Sequence, residues 1–154
     1  MTMKQSIIRG KRILLVDDEP SVRGAFRMML KFDGHTVTEA NDGKEALDYL
    51  FAEGVHAGRD VTDLPTLVLL DLKLPRVDGL EVLRRIRADS RTKRLPVVIL
   101  TSSSQEQDLT ASYDLGANSY IRKPVDFAKF AEAIEYLGLY WLVLNEPPPK
   151  VSQP

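Results

Sequence analysis

Three runs of mainly apolar residues occur in this chain, at residues 12–17, 66–71 and 96–101. Each run ends at a polar side chain and is followed by turn or helix-capping residues, which is typical of a strand buried on both faces. Residues 35–39 alternate between apolar and polar side chains, and residues 118–122 form a further short stretch of the same kind. The pattern therefore predicts five strands.

Helical spacing of apolar side chains separates these strands. It begins after Pro20, after Asp42 and after Asp78, and each aspartate precedes a glutamate by three positions, which is the spacing of an N-terminal capping box. The helix predicted to begin among residues 102–104 has few large apolar groups and is expected to be loosely held. Strand and helix alternate five times, which predicts a parallel sheet with right-handed crossovers and helices on both faces.

The length of 154 residues suits one domain with a hydrophobic core. We expect a short N-terminal tail at residues 1–11, a folded domain at residues 12–144, and a proline-rich, disordered tail at residues 145–154. Residues 54–65 lack both helical and strand periodicity and are predicted to form a long connection within the domain. Asp126 is expected to cap the last helix.

Charge and composition exclude several classes of partner. Lysine and arginine total 21 against 22 aspartates and glutamates, so the net charge of −1 does not favour nucleic acid or an anionic membrane. The basic residues between positions 84 and 94 lack interleaved aromatic residues and are predicted to form a solvated helix face. No cysteine, signal peptide or membrane-length apolar run is present, so a soluble cytoplasmic protein is expected.

Four predicted strands end at or beside side chains that can carry chemistry. Asp17 and Asp18 follow the first strand, Asp71 ends the third, Thr101 ends the fourth and Lys123 follows the fifth. The carboxyl ends of parallel strands meet at one edge of a sheet, where ligands bind. Three carboxylates together repel one another and need a cation. An all-oxygen donor set without histidine or cysteine favours Mg²⁺.

Asp71 is the predicted reacting group, because a carboxylate can act as a nucleophile toward phosphorus. Phosphoryl transfer needs mainly positioning and charge neutralisation, which the Lys123 ammonium and the Thr101 hydroxyl would supply to the phosphoryl oxygens. Each group alone has a simpler explanation, since acids at strand ends often cap helices. For Asp18, capping and catalysis are equally consistent with the sequence. The combination at one edge favours a functional site.

The chain resembles the receiver domain of two-component response regulators over about residues 12–137. The motifs that carry the resemblance are Leu-Val-Asp17-Asp18-Glu19, Leu-Leu-Asp71-Leu-Lys-Leu-Pro75 with Asp78-Gly79, Ile-Leu-Thr101-Ser, and Tyr120-Ile-Arg-Lys123-Pro124. This resemblance implies an α/β fold of the flavodoxin-like (βα)5 type, with a doubly wound parallel sheet in the strand order 2-1-3-4-5. It also implies a phospho-accepting switch rather than an enzyme with a turnover substrate.

The resemblance also assigns roles to the residues at the strand ends. Asp71 is expected to be the phospho-acceptor, with Mg²⁺ bound directly by Asp18, largely through water by Asp17, and by the backbone carbonyl of Lys73. Further expected roles belong to the switch pair Thr101 and Tyr120, to the phosphate-pairing Lys123, and to a cis bond between Lys123 and Pro124.

A narrower resemblance concerns the second half of the chain. Val-Ile-Leu-Thr-Ser-Ser, Lys-Pro-Val-Asp126-Phe and the Tyr140-Trp141-Leu end are similar to single-domain regulators paired with bacterial phytochrome histidine kinases. The resemblance implies a sensor histidine kinase of that type as partner. It also implies a homodimer formed through the last helix and the apolar residues 139–144. No output domain is expected, so the signal would be passed on by a phosphorylation-dependent protein contact.

Three other classes of protein are consistent with parts of the pattern. A Mg²⁺-dependent phosphatase with an aspartate nucleophile would place a second acid two residues after the first, whereas Asp17 and Asp18 are adjacent. A flavin or nucleotide carrier would need a phosphate-cradling loop after the first strand, where Asp18, Glu19 and Pro20 stand instead. A scaffold without phosphorylation would not need the full set of site groups.

Overall fold

The structure, a computed structural model, describes residues 11–102, 105–123 and 128. Strands and helices alternate along it. The elements are β1 (Arg12–Val16), α1 (Pro20–Phe32), β2 (Thr36–Ala40), α2 (Gly43–Leu50), β3 (Leu67–Leu70), α3 (Gly79–Ala88), β4 (Val97–Thr101), α4 (Glu106–Asp114) and β5 (Ser119–Arg122), with a short 3₁₀ turn at Gly54–His56.

The five strands form one parallel sheet in the order β2-β1-β3-β4-β5. In this register Val16 of β1 lies beside Ala40 of β2 on one side and Leu70 of β3 on the other. The order confirms the predicted flavodoxin-like topology. The chain reverses its direction of winding between β1 and β3, and in such sheets that point is where ligands bind.

The sheet separates two apolar layers, because successive side chains of a strand point to opposite faces. Leu14 and Val68 belong to the layer that α2 and α3 cover. Ile13 and Leu69 belong to the other layer, which includes Phe26 of α1. All three central strands are therefore buried on both faces, as their apolar runs predict.

The helix ends agree with the capping prediction in two places. The Asp42 side chain accepts a hydrogen bond from the Glu45 N–H at 2.8 Å, and the Asp78 side chain accepts one from the Glu81 N–H at 3.0 Å. Helix α4 begins at Glu106, slightly later than expected, and Ser112 is its one buried residue. This thin apolar contact supports the expectation that α4 is loosely held.

The long connection before β3 is anchored by arginine side chains. The Arg59 guanidinium lies 4.2 Å from the centre of the Tyr49 ring and donates to the backbone carbonyls of Tyr49 and Asp63. Arg12 donates to the Leu64 carbonyl at 2.9 Å. The connection therefore lacks regular periodicity but has defined contacts. No helix within the described ranges is long and apolar enough to cross a membrane.

His35 is a buried histidine just before β2. Its side chain is almost inaccessible and its Nδ1 atom has no hydrogen-bond partner. Burial lowers the pKa of His35 below its usual value, and the nearby charge of Asp33 opposes this effect without cancelling it. A lowered folded-state pKa means that the unfolded chain binds the proton more tightly. The free energy of unfolding is therefore not reduced by His35 above its unfolded-state pKa of about 6.5. Below that pH the free energy of unfolding falls as the pH drops toward the folded-state pKa.

We therefore expect His35→Leu to lose less stability than wild type when the pH is lowered from about 7.5 to about 5.5. The effect grows with the difference in proton affinity between the folded and the unfolded chain, by about 1.4 kcal/mol for each tenfold difference. Urea unfolding at the two pH values measures it, and the difference between variant and wild type cancels the contributions of other groups. His56→Gln retains His35 and should behave like wild type. Equal pH dependence in His35→Leu and wild type would refute the argument.

Candidate functional site

Strands β1 and β3 carry their acids to the same edge of the sheet. The Asp17 N–H donates to the Ala40 carbonyl at 3.1 Å, and the Asp71 N–H donates to the Val16 carbonyl at 2.9 Å. These bonds extend the strand ladder by one residue past each strand end. Asp17 is 1% exposed and Asp71 is 3% exposed, so both carboxylates are held at the floor of the site.

Four carboxylates converge at this edge. One oxygen from each of Asp17, Asp18, Glu19 and Asp71 lies within 4.8 Å of the others. Asp18 and Glu19 are exposed, so the group has a buried side and an open side. Hard oxygen donors in this arrangement fit Mg²⁺ or a similar divalent cation. Glu19 is an addition to the predicted set, and its position directly after Asp18 is the signal that points to it.

Lys123 lies between the two buried acids. Its Nζ atom is 2.5 Å from Asp17 Oδ2 and 3.1 Å from Asp71 Oδ2, and it is 3.9 Å from a carboxylate oxygen of Glu19. The Lys123 N–H donates to the Thr101 carbonyl at 2.7 Å, which ties the lysine to the end of β4. Lys123 is thus hydrogen-bonded to Asp17, which is 106 positions earlier in the chain, and to Asp71, which is 52 positions earlier.

The charges of this site influence one another. Burial alone would lower the pKa of Lys123, but its hydrogen bond to Asp17 and the charge of Asp71 outweigh burial and raise that pKa. The ammonium group is therefore charged at neutral pH. Burial raises the pKa of the Asp17 carboxyl, although the hydrogen bond from Lys123 opposes this. One ammonium among four carboxylates leaves an excess of negative charge that a bound cation would neutralise.

Three further predicted residues belong to β4, β5 and the loop after β3. Thr101 is fully buried at the end of β4, and Tyr120 of β5 is half-buried against the apolar layer on the α2 and α3 side. The Lys73 N–H lies 3.2 Å from Asp71 Oδ1, while the Lys73 ammonium pairs with Asp108 of α4 at 3.4 Å. The backbone of Lys73 is thus next to the acceptor, and its side chain reaches the helix that follows β4.

A groove of about 410 Å³ opens beside these residues. Asp18, Lys73, Asp78 and Asp108 line it together with apolar side chains of the loop after β3 and of the start of α3. The groove gives an incoming group access to the exposed side of the carboxylate cluster. Several predicted features lie outside the described residues. They are the bond between Lys123 and Pro124, the cap residue Asp126, the last helix apart from residue 128, and the apolar segment after it.

The predicted carboxylates and the predicted lysine are therefore close together. Asp17, Asp18, Asp71 and Lys123 form one cluster, and Thr101 adjoins it through the backbone. Their chemical roles remain predictions from the resemblance.

Comparison with known proteins identifies the family of this site. The family model of the response regulator receiver domain matches residues 13–135. The probable methanogenesis regulatory protein FilR2 of Methanothrix harundinacea is 41% identical over 140 residues, which cover 88% of this chain and 86% of FilR2. The response regulator MprA of Mycolicibacterium vanbaalenii is 41% identical over 73% of this chain, which spans only 44% of the length of MprA.

Solved structures give the same result. The phosphorylated cyanobacterial phytochrome response regulator RcpA is 37% identical, with a TM-score of 0.80 over 91% of this chain and 99% of RcpA. The Mn²⁺-bound form of response regulator Rcp1 is 34% identical, with a TM-score of 0.78 over 90% and 99% of the two chains. The bacteriophytochrome response regulator RtBRR is 46% identical, with a TM-score of 0.73 over 91% and 85%.

The family model, the sheet order and the acidic edge agree with one another. Proteins of this family are signalling switches. The chain belongs to the family of response regulator receiver domains.

Proposed function

We propose that Asp71 accepts a phosphoryl group from the phosphohistidine of a sensor histidine kinase. The observation that carries this proposal is the position of the Asp71 carboxylate, buried at the end of β3 with the Lys123 ammonium 3.1 Å away. In the transfer, an oxygen of Asp71 would form a bond to phosphorus as the bond from phosphorus to the donor histidine nitrogen breaks. The product is an aspartyl phosphate, and it would be the signalling state of a switch. A phosphatase with an aspartate nucleophile would form the same bond but would then hydrolyse it and turn over substrate.

The charges of the site explain what the transfer requires. An incoming phosphoryl group adds negative charge to a cluster that already has four carboxylates and one ammonium. Lys123 is placed to pair with a phosphoryl oxygen, because its ammonium already contacts the acceptor. Mg²⁺, when bound, would supply the remaining positive charge. Its proposed ligands are the carboxylates of Asp17, Asp18 and Asp71 and the backbone carbonyl of Lys73, with Glu19 near enough to take part through water.

We propose Thr101 and Tyr120 as the residues that transmit the change. Thr101 is buried one strand away from the acceptor and is hydrogen-bonded through its carbonyl to Lys123, so it can respond to new charge on Asp71. A shift of its hydroxyl toward the phosphoryl oxygens would favour a different arrangement of Tyr120. Helix α4 follows β4 and has little buried apolar surface, so its displacement would expose few apolar side chains.

A metal-removal experiment tests the proposal. Incubation with a small acyl phosphate and Mg²⁺ should give one base-labile, hydroxylamine-sensitive phosphoryl group per chain, measured by intact mass. Charge stabilisation by a metal contributes several kcal/mol to such a transfer, so excess chelator should slow it by about 100-fold or more. Equal rates with and without chelator would contradict the proposed site. Steady hydrolysis of added phosphate esters would instead favour the phosphatase.

The finer identity of the partners is also a proposal. The similarity to RcpA and RtBRR supports a bacterial phytochrome as the kinase, because RcpA is a cyanobacterial phytochrome response regulator and RtBRR is a bacteriophytochrome response regulator. A homodimer formed through the last helix and residues 139–144 remains a prediction, since that region lies outside the described residues. Phosphotransfer profiling against the histidine kinases of the host would test the proposed kinase. Sedimentation of the phosphorylated and the unphosphorylated chain would test the proposed homodimer.

A further inference from the structure

The loop between β3 and α3 is fastened to the start of α2. Gly43 at that start is buried, and a Cβ atom there would lie only 1.8 Å from the Val77 carbonyl oxygen. The Gly43 N–H also donates to the Pro75 carbonyl at 3.4 Å. Such a close approach of two backbones requires glycine. The start of α2 is therefore a fixed support for the loop that carries Lys73.

Arg76 stands at the contact between this loop and α2. Its φ angle is 66°, in the left-handed region that residues other than glycine seldom occupy. Its guanidinium nitrogens Nε and Nη2 lie 2.9 Å and 2.7 Å from Asp42 Oδ2. The other oxygen of Asp42 accepts the N–H of Glu45 and caps α2. One nearly buried carboxylate thus caps a helix and holds a strained loop residue.

The strained residue is three positions from Lys73, and the segment between them is tightly turned. The Leu74 N–H donates to the Leu72 carbonyl at 3.2 Å, and the Val77 N–H donates to the Pro75 carbonyl at 2.8 Å. At the other end of the segment the Lys73 N–H contacts Asp71 Oδ1. A change in the conformation of Arg76 can therefore alter the position of the Lys73 backbone.

We infer that Arg76, paired with Asp42, is a positioning residue for the proposed metal ligand at the Lys73 carbonyl. This inference rests on the proposed function, because Lys73 matters only if the edge binds a cation and accepts a phosphoryl group. Arg76 does not touch the reacting atoms. Its contact with Asp42 stabilises the loop conformation in which the Lys73 backbone stays against Asp71.

The variant Arg76→Gly separates positioning from stability. Glycine adopts the left-handed conformation without strain, so the global stability should be unchanged or higher even though the pair with Asp42 is lost. The Mg²⁺ concentration that gives half-maximal phosphorylation by a small acyl phosphate should rise about five-fold, below the ~10- to 100-fold typical of groups bonded directly to metal ligands. The N–H groups of Leu74 and Val77 should exchange faster with solvent deuterium.

Two more variants complete the experiment. Asp42→Asn keeps a good N-cap residue but removes the charge that holds Arg76, so it should show the same rise in the Mg²⁺ requirement. Arg85→Ala is the matched control. It removes an exposed arginine that makes a single 3.3 Å contact with Glu81, and it should leave the Mg²⁺ requirement and the loop exchange unchanged.

The outcomes are distinguishable. Raised Mg²⁺ requirement and faster loop exchange in Arg76→Gly and Asp42→Asn, at unchanged global stability, support the inference. The inference is overturned if Arg76→Gly and Asp42→Asn have the same Mg²⁺ requirement and loop exchange as Arg85→Ala. It is also overturned if their Mg²⁺ requirement rises only in proportion to a loss of global stability. If the wild type forms no aspartyl phosphate, the proposed function fails. The hydrogen exchange of the loop in the same variants still decides whether Arg76 holds it.

Discussion

Asp71→Asn is expected to abolish formation of the aspartyl phosphate, with no detectable phosphoryl group after exposure to a small acyl phosphate and Mg²⁺. The amide has nearly the same shape as the carboxylate but is not a nucleophile toward phosphorus. Its oxygen can still accept a hydrogen bond from Lys123 or from the Lys73 N–H, which now contact the two carboxylate oxygens. The variant should therefore remain folded, and the loss should be chemical.

Asp78→Asn is the matched control for this result. Asp78 is in the same loop and lines the groove, but it is not part of the carboxylate cluster. Its exposed side chain caps α3 through the Glu81 N–H, a role that asparagine fulfils equally well. Its phosphorylation should equal that of wild type when measured by intact mass and hydroxylamine sensitivity. If Asp71→Asn still gains a stable, hydroxylamine-sensitive phosphoryl group, a neighbouring residue must be the acceptor. Asp18 would be the first candidate because it is exposed.

Local sequence patterns predict those site residues that stand at the ends of strands. The apolar run before Asp71 identifies a central strand, and a parallel sheet brings all strand ends to one edge. Asp17 and Asp71 then meet because Val16 and Leu70 are neighbours in the register. Strand periodicity and the rule for parallel sheets are sufficient for this conclusion, and they need no knowledge of individual side-chain contacts.

The contacts that long side chains make across the fold are less accessible to sequence reasoning. The basic run between residues 84 and 94 predicts a solvated helix face, yet Arg87 is only partly exposed. Its guanidinium donates to the Leu95 carbonyl at 2.7 Å and to the Gly116 carbonyl at 2.8 and 3.0 Å. Gly116 lies 29 positions away. Helical periodicity describes which face a residue is on, and it does not show which backbone carbonyls a flexible side chain will reach.

The same limit applies to Arg76 and Asp42. The sequence identifies Asp42 as a cap by its spacing from Glu45, and the structure confirms that cap. The second oxygen of the carboxylate binds an arginine 34 positions later, which no local pattern indicates. A positive φ angle at a residue other than glycine is likewise a consequence of the surrounding tertiary contacts.

Gly79→Ala should cause the second large loss, because it forces the first residue of α3 against the backbone of the acceptor. A Cβ atom at Gly79 would lie 2.2 Å from the Asp71 carbonyl oxygen and 2.5 Å from the Leu72 Cα atom. Neither group can move freely, since the Asp71 N–H is bonded to β1 and the Leu72 carbonyl accepts the Gly79 N–H at 2.9 Å. Relief of this overlap should cost about 3 kcal/mol of stability.

Phosphorylation should also decrease, and by more than the loss of stability explains. The backbone that must shift is the one that carries Asp71 and leads to Lys73. Urea unfolding measures the stability, and Mg²⁺-dependent phosphorylation below the unfolding transition measures the site. Gly24→Ala is the control. Its Cβ would meet nothing nearer than an Arg27 nitrogen at 3.6 Å, and alanine in the middle of α1 should stabilise the protein by about 0.8 kcal/mol. A Gly79→Ala variant with wild-type stability and wild-type phosphorylation would show that the loop tolerates displacement, and the acceptor would then not depend on this close backbone contact.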